Sequence, residues 1–264
     1  MSNLLRTLWA YRGFVFGSVK REFQAKYLNS LLGAGWAVLN PLAMIIVYTV
    51  IFSQVMQSRL PGVSNSFGYS IFLCAGVLTW GLFSEVVARA TSVFLEHANL
   101  IKKLNFPRIC LPAIVLSTAL LNFAIIFGLF TAFLLLTGNF PGWVFFTLIP
   151  VFATIVLLAT GLGVTFGVLN VFFRDVGQFV GVFLQFWFWF TPIVYPLAIL
   201  PDWARKWVLL NPMTWLIGAC QGVLVVGDSP DWLGLAPVLI AALVLCGIAL
   251  MIFRKRVGEM VDEL

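Results

Sequence analysis

The sequence predicts an all-α integral membrane protein, and three observations predict it. First, 61% of the residues are hydrophobic and only 10% are charged, with a mean hydropathy of +1.03. A soluble domain is nearer half apolar and a quarter charged. Second, six apolar stretches are each long enough to cross a bilayer, which takes about 20 residues. They run over residues 36–57, 68–88, 109–137, 143–173, 176–198 and 233–253. Third, the basic residues segregate. With six crossings, thirteen Lys and Arg residues share a side with the termini, and Arg59, Arg205 and Lys206 fall on the other. Lys and Arg gather on the cytoplasmic side of membrane proteins, so both termini are expected in the cytoplasm. The net charge of +6 is then a property of the inner membrane face, and nucleic acid is not an expected partner.

The whole chain, residues 1–264, reads as one transmembrane domain. Residues 1–32 precede the first span. Their short apolar runs lack the pattern of a cleavable signal peptide, so the first span itself is the expected insertion signal. Phe16, Val19, Phe23, Tyr27 and Leu31 recur at three- and four-residue steps and give a helix one apolar face. Arg21, Glu22, Gln24 and Lys26 occupy the remainder. Such a helix lies in the plane of the interface. Gly33 and Gly35 break it, and Trp36 anchors the turn into the bilayer.

The second span ends in Glu85-Val-Val-Ala-Arg89, where Glu precedes Arg by four residues, the favourable helical order. The pair can neutralise itself near the cytoplasmic interface. Glu96–Arg108 (EHANLIKKLNFPR) follows as a basic cytoplasmic helix or loop. Thr137–Trp143 (TGNFPGW) makes a tight outer turn between spans three and four. Gly161–Gly167 (GLGVTFG) in span four supplies small residues for close helix approach in lipid. Phe173-Arg174-Asp175 is a short inner turn. Residues 199–232 carry Pro201, Pro212 and an apolar run of only 15 residues, Met213–Gly227. A crossing there would place Arg254, Lys255 and Arg256 outside. Two short outer re-entrant helices between spans five and six are therefore expected. Irregular backbone at that depth must be buried in protein or line a wet cavity.

The chemistry that is missing narrows the function. His97 is the only histidine, and Cys74, Cys110, Cys220 and Cys246 are scattered without metal-ligand spacing. No Ser or Cys has an evident base beside it in sequence. Glu85 is the one acidic residue within the predicted spans, which is sparse for a proton relay. No G-x-x-x-x-G-K-[ST] loop occurs, so ATP is not bound by that device. What remains are polar and aromatic stripes. At 100° per residue, Gly181, Gln185, Trp189 and Pro192 fall within about 60° of Gln178. Phe179, Phe183, Phe186 and Phe190 form a separate stripe suited to lipid or helix packing. Span one offers Asn40, Met44, Tyr48, Ile51 and Gln54. Uncharged polar groups among aromatics suit sugars, with their hydroxyls and apolar ring faces, better than ions. The plainer reading of both lines is interhelical hydrogen bonding and interface-belt tryptophans.

Arg21–Leu42, read as R-E-x-x-x-K-Y-x-x-S-x-L-G-x-x-W-x-x-x-N-P-L, resembles a motif of permease subunits of ABC polysaccharide exporters. The F-R-D turn, T-P-I-V-Y-P (Thr191–Pro196) and N-P-M-T (Asn211–Thr214) fall in that family's order. Gln221 departs from it, because a basic residue is expected there. The resemblance implies a six-span half-channel that homodimerises in the bacterial inner membrane. It implies two copies of a separate cytoplasmic ATPase, which carry the ATP and Mg; this chain itself needs no cofactor. It implies a lipid-linked glycan substrate. It assigns gating to Ser18–Leu32, here Lys20, Arg21, Glu22, Lys26 and Tyr27, with Gly33 and Gly35 as a hinge. It assigns coupling to Glu96–Arg108, here His97, Lys102, Lys103 and Arg108. The polar stripes become a substrate channel of Asn40, Tyr48, Gln54, Gln178, Gln185 and Trp189. Pro192, Tyr195, Pro196, Asn211 and Pro212 become an outer gate. Alternatives are the export of teichoic-type polymer, capsule or lipophilic compounds. Two further readings are a transferase on lipid-linked sugars using Asp202, Asp228 and Asp231, and a secondary transporter driven by a proton gradient.

Overall fold

The computed structural model describes residues 6, 9–26, 32–51, 67–103 and 106–263, leaving aside the side chains of Lys26, Ala34, Lys103, Val261 and Asp262. Every regular element among them is helical. Tyr27 and Gln54 lie outside the described residues.

Helix α1 (Arg12–Lys26) leads to a 3-10 turn at Gly33–Gly35 and then α2 (Trp36–Thr49). Gly33 has φ +49°, a left-handed conformation that glycine adopts without a Cβ penalty. The predicted break therefore falls where it was expected. The apolar face of α1 is rotated from the predicted one: Phe14, Val15 and Val19 meet the bundle, and Phe16 is 72% exposed. Of the first span, 36–57, the described part holds helix through Thr49, continuing as a wider turn to Ile51.

Helix α3 (Gly68–Glu96) is the centre of the bundle. At 1.5 Å per residue it is about 43 Å long, so it outruns the hydrocarbon core and carries Glu85 and Arg89 toward an interface. The short α4 (Ala98–Lys103) follows. Helices α5 (Cys110–Leu136) and α6 (Leu148–Phe172) are joined by the predicted outer turn. That turn uses Gly138 and Gly142, both at positive φ, and a 3-10 segment, Gly142–Thr147. Helix α6 packs tightly between α3 and α10 (Trp232–Arg256). Glycines explain the fit. A Cβ on Gly163 would come 2.7 Å from the Ala90 Cβ, and one on Gly161 would come 2.9 Å from the Cys246 backbone nitrogen. The GLGVTFG run is thus a packing surface on two faces, as lipid-embedded helices need.

Helix α7 (Asp175–Trp189) starts straight after the short F-R-D turn. It has 15 residues, shorter than the predicted fifth stretch of 176–198. The reason is Pro192. Its ring removes a backbone donor, and proline disfavours helix at the preceding residue, here Thr191. Residues 191–196 continue as irregular chain through the buried Thr191, Pro192 and Ile193. A 3-10 turn, Leu197–Ile199, leads to α8 (Asp202–Leu209) and α9 (Pro212–Gln221), which runs on as a π turn through Val226. Two short helices thus occupy the 199–232 stretch, and they meet at a 98° bend. Helix α11 (Glu259–Glu263) closes the described chain, tied back by an Arg256–Glu259 ion pair.

Among the described residues, four helices are long and apolar enough to cross a membrane: α3, α5, α6 with its leading turn, and α10; the bent pair makes a fifth if it is one span. The main core joins α3, α5, α6, α9 and α10. A second cluster, including Val19, Val93, Phe94, Leu111, Val168 and Phe253, seats α1 and the end of α10.

Candidate functional site

The elements place the predicted site residues in three groups. The first surrounds α1. Glu22 pairs through one carboxylate oxygen with Arg89 of α3. Its other oxygen accepts from Thr118 Oγ1 of α5 at 2.8 Å. Glu85 lies 3.6 Å from the other side of the same guanidinium, and Asn122 Nδ2 donates to Glu85 at 3.0 Å. The sequence showed the Glu85–Arg89 spacing but not that Glu22 reaches the same arginine from 67 residues away. No local pattern carries that signal. Thr118 and Asn122, one turn apart on α5, likewise gave no sequence cue. Lys20 and Arg21 are exposed, and Arg21 donates to Ser18 Oγ at 2.9 Å. Gly33 and Gly35 sit in the turn between α1 and α2.

The predicted coupling residues differ from one another. Lys102 is exposed. His97 terminates α3, with Nδ1 3.0 Å from the Val93 carbonyl oxygen. Arg108 is half-buried and donates to the Val257 carbonyl at 2.6 Å. That contact caps the end of α10, where unsatisfied carbonyls and a partial negative charge attract a cation. Arg108 therefore has a structural task that the basic loop alone did not reveal.

The second group is the polar stripe of α7. Gln178, Gln185 and Trp189 are exposed, and so are Phe179, Phe183, Phe186 and Phe190. Only Val180 and Leu184 of this helix are buried. Trp187 turns inward, with its ring centroid 5.1 Å from that of Phe83 in an edge-on contact. Both predicted stripes thus look out of the single chain, the glutamine–tryptophan one beside the phenylalanine one. The line on α2 behaves differently. Asn40 and Met44 border a cavity of about 310 Å³ between α2, α3 and α5, together with Glu85 and Asn122. Tyr48 is half-buried against the core.

The third group is a polar knot at the broken end of α7. Asn211 is its hub. Its Oδ1 accepts from the Trp187 indole at 2.8 Å and from the Met213 backbone N–H at 3.0 Å. Its Nδ2 donates to Thr191 Oγ1 at 2.8 Å. Asn211 is 5% exposed and caps α9, with Pro212 at the first helical position. The T-P-I-V-Y-P and N-P-M-T motifs therefore meet through Asn211. Tyr69 donates to the Val194 carbonyl at 2.6 Å and Tyr195 to the Trp189 carbonyl at 2.9 Å. Pro192 is buried and Pro196 half-buried in the same irregular run. Gln221, where the sequence departs from the expected basic residue, is buried. Its Nε2 lies 3.3 Å from the Phe72 carbonyl and 3.4 Å from those of Pro192 and Ile193. An uncharged amide thus serves the carbonyls that a proline break leaves without partners.

A sequence family described as ABC-2 type transporter matches residues 15–225, a span that takes in all three groups. The chain belongs to the ABC-2 type transporter family. This ABC-2 permease is 32% identical to the O-antigen export system permease protein RfbA of Myxococcus xanthus over 268 residues, covering all of both chains. It is 30% identical to the protein of that name from Klebsiella pneumoniae, over 75% of this chain and 74% of the relative. It is 22% identical to the polysialic acid transport protein KpsM of Escherichia coli, over 92% and 93%.

Proposed function

We propose that this multi-pass permease moves a lipid-linked polysaccharide of the O-antigen type outward across the bacterial inner membrane, powered by a separate cytoplasmic ATPase. The observation that carries the reading is the exposed face of α7. Gln178, Gln185 and Trp189 offer amide and indole groups to hydroxyls and an aromatic surface to sugar rings, beside apolar Phe183 and Phe186. Stacking of this kind is weak per contact and repeats along a polymer, so a glycan slides without being held. One chain supplies only one wall of such a passage, which supports a homodimer with α7 at the seam. The O-antigen export names of the relatives support the substrate class.

In this reading the chain crosses six times, with α2 and α7 as the first and fifth crossings and both termini in the cytoplasm. Helices α8 and α9 dip into the outer leaflet and return, and their knot around Asn211 closes the outer end. Exposed Trp203 and Trp207 on α8 fit an interface position. ATP and Mg belong to two copies of the ATPase, which meets α4 around Lys102 and Lys103 and acts on α1. Deleting this chain in a cell that makes the glycan should strand lipid-linked polymer on the inner side and strip it from the surface. Normal surface glycan in the deletion strain contradicts the function.

A further inference from the structure

The charge cluster under α1 holds two carboxylates and one guanidinium. Each carboxylate has its own neutral donor on α5: Thr118 for Glu22 and Asn122 for Glu85. Arg89 alone is shared between them. Its two partners differ in one respect. Glu85 is one turn away on the same helix and stays beside Arg89 whatever α1 does. Glu22 leaves whenever α1 leaves. A charge stranded near the membrane without a partner is costly, so a helix pinned by one ion pair would normally stay pinned. Here the second carboxylate removes that cost. The 310 Å³ cavity beside Glu85 and Asn122 leaves room for the rearrangement and for a shift of α2.

We propose that Arg89 is a hand-off residue: Glu22 and Glu85 share it while α1 is docked, with Glu22 the closer partner, and Glu85 holds it alone once α1 lifts. Glu85 and Arg89 are then positioning residues for gating, and the cluster is a two-state latch rather than a fixed brace. The link to export rests on the function proposed above; the latch itself does not.

The test reads the lifting of α1 directly. Among the described side chains of α1, Val19 is the buried one, 8% exposed in the cluster with Val93, Phe94, Leu111 and Val115. Val19→Cys in the full chain in liposomes reacts with a water-soluble maleimide only when α1 lifts, over a baseline set by the chain without that substitution. Val15→Cys, on the same face, is a second reporter if the first does not fold. Glu22→Gln should raise the labelling rate about tenfold, the worth of one charge-assisted hydrogen bond. Glu85→Gln should lower it about five- to tenfold, because Arg89 then has nowhere to go. Glu85→Asp should restore the unsubstituted rate. A brace gives the opposite sign for Glu85→Gln, since any loss loosens it. Labelling of Glu85→Gln at or above the unsubstituted rate overturns the hand-off, as does an unchanged rate for Glu22→Gln. Labelling needs neither glycan nor ATP, so a chain that fails to export sinks the proposed function and leaves this result standing.

Discussion

Replacing Asn211 with alanine should destabilise the junction of α7 and α9 more than any surface change. The side chain accepts from two donors, the Trp187 indole N–H at 2.8 Å and the Met213 backbone N–H at 3.0 Å. A buried donor left without a partner costs about 1–3 kcal/mol. The Met213 bond is itself the cap of α9, so its loss is counted once, at about 1 kcal/mol. Loss of the bond to Thr191 adds to this. A total of roughly 2–4 kcal/mol follows from these terms, equivalent to a fall of roughly 5–15 °C in melting temperature for a chain of this size. Thermal unfolding in detergent, followed by tryptophan emission, measures it. Asn211→Asp is the companion variant: it keeps the acceptor for Trp187 and Met213 but loses the donor to Thr191, and it should still melt below the unsubstituted protein. If Asn211→Ala melts within 2 °C of it, the hub is not what joins α7 to α9 and the reasoning fails.

Three more expectations follow from the same geometry. Gly163→Val should abolish folding or lower yield severely, because even the first added carbon sits 2.7 Å from the Ala90 Cβ, whereas Gly181→Ala, with nothing within 4 Å, should fold normally; yields and size-exclusion profiles separate the two. Trp189→Ala should slow glycan export several-fold while leaving co-purification with the ATPase unchanged, and a parallel loss of both makes Trp189 a packing residue. Replacing Lys102 and Lys103 together by glutamate should separate ATP hydrolysis from export, and normal export at normal expression removes that loop from coupling.

The bundle was legible because bilayer crossing imposes length and apolarity on contiguous residues. Helices α3, α5, α6 and α10 could therefore be read directly, and the break at Gly33 and the two helices after Pro201 followed from proline and glycine chemistry. The fifth stretch ran too long because apolarity continues past Trp189 while Pro192 ends the helix; composition reports the environment, not the hydrogen bonds. Among candidate site residues, the stripe of Gln178, Gln185 and Trp189 was proposed from periodicity, a one-helix property, and the structure shows only that it is exposed. Asn211 was named from its motif, but its partners Trp187 and Thr191 come from another element. The Glu22–Arg89 pair was not visible, since a contact across 67 residues leaves no local trace. Arg108 was placed with the coupling residues, and nothing in its neighbourhood announces that it meets the end of α10.

The central claim is that this chain provides a passage and takes its drive from another polypeptide. The direct measurement is reconstitution of the chain in liposomes with lipid-linked glycan, with and without the ATPase, scored by glycan reaching the far side. The account expects no transport from the chain alone and ATP-dependent transport from the pair. Uphill movement of glycan by the lone chain, or movement driven by a proton gradient without ATP, contradicts it.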